Sequence, residues 1–87
     1  MFQIEYSSAA LRNLKHIQKE DSVRIISALE ELAGEPDPIR HVKKLRGLPF
    51  YSLRIGNYRA VLAFRRGVLV IFVIDIDRRN TVYRRLK

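Results

Sequence analysis

The stretch Tyr51-Ser52-Leu53-Arg54-Ile55-Gly56-Asn57-Tyr58-Arg59-Ala60-Val61-Leu62-Ala63-Phe64 decides the fold. Two runs with period-two patterning flank Gly56-Asn57, a two-residue turn signal. Glycine at the first turn position fits a type II′ hairpin, which needs a positive φ there. Alternation then assigns the faces. Tyr51, Leu53 and Ile55 share one face, and Ala60, Leu62 and Phe64 suit the same core. Ser52, Arg54, Arg59, Val61 and Ala63 point the other way. Across the turn, Arg54 and Arg59 therefore lie together at the surface, and the small Ser52 and Ala63 leave room around them.

Downstream, Arg66-Gly67 signals a further tight turn. Val68 to Ile76 is the most apolar strand and the expected centre of the sheet. Asp77 to Thr81 reads as polar loop, and Val82 to Lys87 as a terminal segment of undecided type. Upstream, Phe2-Gln3-Ile4-Glu5-Tyr6 alternates as a half-buried strand. Ser7 or Ser8 can cap the helix that follows, whose apolar positions are Ala10, Leu11, Leu14 and Ile17. A second helix opens at Glu20-Asp21-Ser22, where acidic groups suit the positive end of the helix dipole. Its stripe is Val23, Ile26, Leu29 and Leu32-Ala33, widened by Ile25. Gly34 and Pro36 end it. The joint between the helices is short enough for an antiparallel hairpin.

The element order is thus β-α-α-β-β-β with a short C-terminal tail. It predicts an α+β fold, with a two-helix hairpin on one face of a mainly antiparallel sheet of about four strands. The 87 residues are expected to form a single domain spanning 1–87.

Lysine and arginine number 17 against 9 aspartate and glutamate, a net charge of +8. The excess is segregated. Residues 1–42 carry five basic and seven acidic side chains, whereas residues 43–87 carry twelve basic ones against Asp75 and Asp77 alone. Such a concentration of positive charge repels itself. A polyanion bound there relieves the repulsion and releases counterions. A basic solubilising surface is the plainer reading. The basic candidates are Lys43, Lys44, Arg46, Arg54 and Arg59, then Arg78, Arg79, Arg84 and Arg85 in the tail. Paired arginines on a sheet face free of helices can fork onto phosphate, or simply pack their stems over Val61. Tyr83, set among arginines, can stack on a base, donate a proton or pack on the sheet.

There is no cysteine, which excludes disulfides and thiolate metal sites and fits a reducing compartment. No metal or other cofactor is expected. The longest mostly apolar stretch, Val68 to Ile74, is too short to span a bilayer. No basic amphipathic helix carries the charge to a membrane surface, and no secretion signal is evident. A cytoplasmic location is expected.

Taken together, Lys44-Leu45-Arg46-Gly47, Leu53-Arg54-Ile55-Gly56-Asn57-Tyr58-Arg59 and the tail Asp77-Arg78-Arg79-Asn80-Thr81-Val82-Tyr83-Arg84 resemble the RelE/ParE superfamily, the toxins of type II toxin–antitoxin systems. The resemblance covers essentially the whole chain. It implies a microbial-ribonuclease-like fold and an antitoxin partner. In the RelE branch it also implies a ribosome-dependent endoribonuclease that cuts mRNA by attack of a ribose 2′-hydroxyl on the adjacent phosphate, without metal. Arg54, Arg59, Arg78 and Tyr83 match that branch's catalytic positions, with Arg79 as a register alternative to Arg78. Lys43, Lys44, Arg46, Arg79, Arg84 and Arg85 would bind RNA. Ser52 stands where a lysine is common and Asp77 where many members have histidine, so Asp77 is the candidate proton acceptor. His16 and His41 are expected outside the site. The alternatives are a ParE-like inhibitor of DNA gyrase without enzymatic activity, and a degenerate toxin that only binds its antitoxin.

Overall fold

The computed structural model describes residues 1–78. Arg79, Tyr83, Arg84 and Arg85 lie outside the described residues. The elements are β1 (Gln3–Tyr6), α1 (Ser8–His16), α2 (Lys19–Ala33), a 3₁₀ turn (Pro38–His41), β2 (Lys43–Lys44), β3 (Tyr51–Ile55), β4 (Tyr58–Arg65), a second 3₁₀ turn (Arg66–Val68) and β5 (Val70–Arg78). The sheet has five strands in the order β1-β5-β4-β3-β2. Only the β1–β5 pair is parallel; the other three pairs are antiparallel. The expected α+β architecture therefore holds. The fifth strand is the two-residue Lys43–Lys44 pairing, too short to leave a periodic signal.

Ser7, rather than Ser8, caps α1: its Oγ accepts from Ala10 N at 3.0 Å and donates to the Ile74 carbonyl at 2.5 Å. The same residue thus starts the helix and fastens it to the sheet. Ser22 Oγ, in α2, donates to Leu14 O at 3.0 Å and joins the two helices. Each helix then packs on the sheet: α1 on β5, α2 against β1 and β3. The buried stripe of α2 is Ile25, Leu29, Leu32 and Ala33, while Val23 and Ile26 are 54% and 38% exposed. Ile25 is thus part of the core, as expected, whereas Val23 and Ile26 are not. Leu11 of α1 likewise faces solvent. Gly34 ends α2 in a right-handed conformation (φ −81°), so the stop falls to the Pro36 segment rather than to a left-handed glycine. The helices cover Ile55, Ala60, Leu62, Ile71, Val73 and Ile76, which form the main core.

Gly56 has φ +59° and Asn57 is not left-handed, as the predicted turn requires. The next connection differs from expectation. Arg66–Val68 forms a 3₁₀ turn, Leu69 follows with φ +54°, and β5 begins only at Val70. β5 then runs through Asp77 and Arg78, two residues past its expected end at Ile76.

Removing the Ser7 hydroxyl deletes a cap and leaves the Ile74 carbonyl without its donor. Ser7→Ala should cost about 1–2 kcal/mol in urea unfolding, whereas Ser8→Ala should stay within about 0.5 kcal/mol.

Candidate functional site

The helices occupy one face of the sheet, and the other face holds the paired arginines. Arg54 stands directly opposite Arg59 across β3 and β4, as the sequence predicts. Directly opposed residues bring their Cβ atoms within about 5 Å. On its other side Arg59 is opposite Asp77 of β5. Arg54, Arg59 and Asp77 therefore form a row across three strands. Arg54 is exposed, but Arg59 is half-buried rather than a plain surface residue. Asp77 Oδ1 accepts from the Arg78 backbone N–H at 2.8 Å, which fixes its carboxylate at the end of the row.

The space expected around this pair is partly filled. Ser52 is 5% exposed and Val61 is fully buried. The Leu45–Phe50 loop folds over Val61, so that Leu45, Leu48, Phe50 and Ile74 form a second, smaller core on this face. Gly47, with φ +74°, supplies the left-handed turn that the loop needs. Lys43 pairs with Ser52 and so shares the face of Arg54. Lys44 points the other way: its Nζ donates to Leu45 O and Leu48 O and lies 5.6 Å from the Tyr51 ring, which holds the loop in shape. Arg46 is exposed at the loop's turn.

Arg78 is not brought beside Arg54 and Arg59. It is opposite Tyr58, whose ring packs against the main core, so it belongs to the helix-bearing side. The cause is a register shift between Val61 and Leu62. Leu62 pairs with Val73 and Val61 with Asp75, leaving Ile74 as an extra residue. One extra residue inverts the alternation of everything after it. Without it, Arg78 would face outward and Asp77 inward.

Arg78 instead borders an open cavity of about 340 Å³ lined also by Asp21, Tyr58, Asp77 and His16. Sequence reasoning placed His16 away from Asp77, because the distance along the chain hides the approach of the α1 end to β5. Tyr58 Oη donates to Asp21 Oδ2 at 3.1 Å. Desolvation first, then this hydrogen bond and the Asp21 charge, raise the phenol above its ordinary pKa, against an opposing pull from Arg78. Asp75 Oδ1 accepts from Asn13 Nδ2 at 2.7 Å and ties α1 to the bulge. His41 lies 3.3 Å from Glu35, remote from the arginine row. Among the described residues no cluster of three or more His, Asp or Glu could hold a metal, and no helix is long and apolar enough to cross a membrane.

Residues 4–83 match the family described as ParE toxin of type II toxin–antitoxin system, parDE. No curated protein matches the chain. Among solved structures, the isolated RelE toxin of Escherichia coli is similar at TM-score 0.76 and 23% identity, covering 99% of this chain and 95% of that one. A chain of the intact E. coli RelBE toxin–antitoxin complex gives TM-score 0.76 at 22% identity, covering 90% and 96%. The archaeal RelE–RelB complex from Pyrococcus horikoshii gives 0.75 at 22%, covering 92% and 97%. At these identities the likeness establishes the fold.

The raised Tyr58 pKa means that the folded state holds its proton more tightly than the unfolded chain. That contribution to stability is complete below the ordinary value of 10.0 and is lost as pH rises through the folded-state pKa. Absorbance titration of the phenolate should show a late-ionising tyrosine that Asp21→Asn moves back toward 10.0 and that Tyr58→Phe removes. An unchanged titration in Asp21→Asn would contradict the assignment.

Proposed function

From the premise that this chain belongs to the ParE toxin family of type II toxin–antitoxin systems, we propose that it is a translation-blocking toxin of the RelE kind, a ribosome-dependent mRNA endoribonuclease. The observation that carries the reading is the direct opposition of Arg54 and Arg59 on the face not covered by helices. Like charges in opposed positions weaken a sheet, and Asp77 opposite Arg59 offsets only part of that repulsion. An anion held between them relieves the rest. In-line attack of a ribose 2′-oxygen on the neighbouring phosphorus builds negative charge on the phosphoryl oxygens, and two guanidinium groups fixed in advance stabilise it.

The 2′-hydroxyl must lose its proton as the new P–O bond forms. Arginine cannot take it, because its pKa lies far above neutrality. Asp77, next in the row, is the proposed acceptor. The bond to the 5′-oxygen of the following nucleotide breaks as that oxygen takes up a proton, proposed to come from Tyr83 or from water, leaving a 2′,3′-cyclic phosphate and a 5′-hydroxyl. Weak acid–base equipment suits a reaction whose geometry is set by a larger assembly that holds the mRNA in line. Lys43, Arg46, Arg79, Arg84 and Arg85 are proposed to bind RNA, with Lys44 acting chiefly through the loop that it holds. Tyr83 is proposed to complete the catalytic set; Arg78, on the helix side, is left out of it. The partner proposed by relation to the RelBE complexes is a cognate antitoxin, presented as an extended or helical segment. The setting proposed is the cytoplasm.

The position of Arg78 favours a second reading. With that guanidinium on the helix side, the open face keeps only part of the expected set, and a ParE-like, non-enzymatic block of DNA gyrase needs no such set. A degenerate toxin that only binds its antitoxin is the remaining case.

In a translating extract with mRNA ends mapped, the protein should produce cuts at ribosome-positioned codons and leave gyrase supercoiling intact. Arg54→Thr should reduce cutting on the order of 100-fold while leaving the fold as stable or more stable by about 0.2–1 kcal/mol, since it removes a like-charge pair. Arg59→Ala should abolish growth inhibition. Arrested supercoiling without mRNA cuts would replace the ribonuclease with the gyrase reading.

A further inference from the structure

The open face carries a second feature that the Arg54–Arg59–Asp77 row does not use. Alternation along β4 places Arg59, Val61, Ala63 and Arg65 on this face. Phe72 of β5 is opposite the small Ala63, and it is half-buried. The Arg65 guanidinium carbon lies 5.1 Å from the centre of the Phe72 ring. Among the described residues Arg65 makes no ion pair, so its charge is held in place by the ring and left available for an anion. Glu5, opposite Phe72 on β1, is exposed. Its charge would confine the phosphates of a bound strand to the Arg65 side of the ring.

Arg65 stands six positions beyond Arg59 along β4, about 20 Å in an extended strand. Between the two ends the face is apolar, with Leu48, Phe50 and Ile74 partly exposed around Val61. Cation at one end, apolar middle, aromatic ring with a cation at the other: this is the order of groups that holds a single strand by its phosphates and bases without reading sequence. We propose that Arg65 and Phe72 form a base-stacking subsite for single-stranded RNA, separate from the Arg54–Arg59 pair and engaging a nucleotide several positions away. The proposal rests on the RNA reading above. The base stacks on the exposed face of the guanidinium or of the ring, and Arg65 also neutralises an adjacent phosphate.

The test is a fluorescence titration of the full chain with single-stranded RNA carrying 2-aminopurine at successive positions, repeated at several salt concentrations. Quenching at one position, lost in Phe72→Leu together with about ten-fold weaker binding, supports the subsite. Arg65→Gln should lower the slope of log affinity against log salt by about one, an effect that a packing role would not produce. It also serves as the second variant should Phe72→Leu fail to fold. Arg54→Ala should weaken binding while preserving the quenching. Unchanged quenching in Phe72→Leu, with Arg54→Ala still weakened, overturns the subsite and leaves the ribonuclease reading standing. Absence of any RNA binding by the native chain overturns the subsite too, and the mRNA-end assay then decides separately whether the ribonuclease reading survives.

Discussion

The pairing of β4 with β5 is the constraint on which the rest depends. β5 is wanted by three partners at once: β1 along its first half, β4 along its whole length, and α1 over one face. A perfectly regular ladder from Val70 onward would put Ile76 on the open face and Asp77 in the core. Burying a carboxylate there costs several kcal/mol unless it is paired, and exposing Ile76 wastes an apolar side chain that a small domain needs. The extra residue at Ile74 resolves both conflicts. Ile76 becomes fully buried, and Asp77 comes out beside Arg59. The bulge is held by Asn13 through Asp75 and by Ser7 through the Ile74 carbonyl, so the N-terminal helix sets the geometry of the arginine row.

Electrostatics on the open face follow from that arrangement. Asp77 offsets part of the repulsion between Arg54 and Arg59 without cancelling it, and Asp77 and Asp75 are the only carboxylates in a half that holds twelve lysines and arginines. The small core under the Leu45–Phe50 loop matters for the same reason. It lines one flank of the row with apolar atoms, and a charge beside low-dielectric material interacts more strongly with a ligand than one surrounded by water.

Most of the fold was legible in the sequence, because its signals are local. The Gly56-Asn57 turn fixed the hairpin register, and with it the opposition of Arg54 and Arg59. What escaped was non-local. Alternation read straight through Val68 to Ile76 cannot reveal a bulge, since Ile74, Asp75 and Ile76 keep an apolar–polar–apolar rhythm whichever face they take. Hence Arg78 was grouped with the wrong neighbours. In α2 the expected Ile25, Leu29, Leu32 and Ala33 are core, but Val23 and Ile26 fit the same helical period and face solvent. Only the placement of the sheet beneath selects between the two. Nor did any spacing reveal that His16 and Asp77 would border one cavity, or that Arg65 would lie over Phe72. Both depend on which strands become neighbours.

The parallel union of β1 with β5 joins Gln3 to Val70 and Tyr6 to Val73. The pairing of Gln3 with Val70 cannot form before β5 has been synthesised. β1 must wait, with its hydrogen-bonding groups unsatisfied by any sheet, until β5 has been made. Chain termination ahead of Val70 would strip both β1 and β4 of their common partner. Shortened products of this kind would lack that shared strand, and this part of the sheet is complete only once β5 is in place.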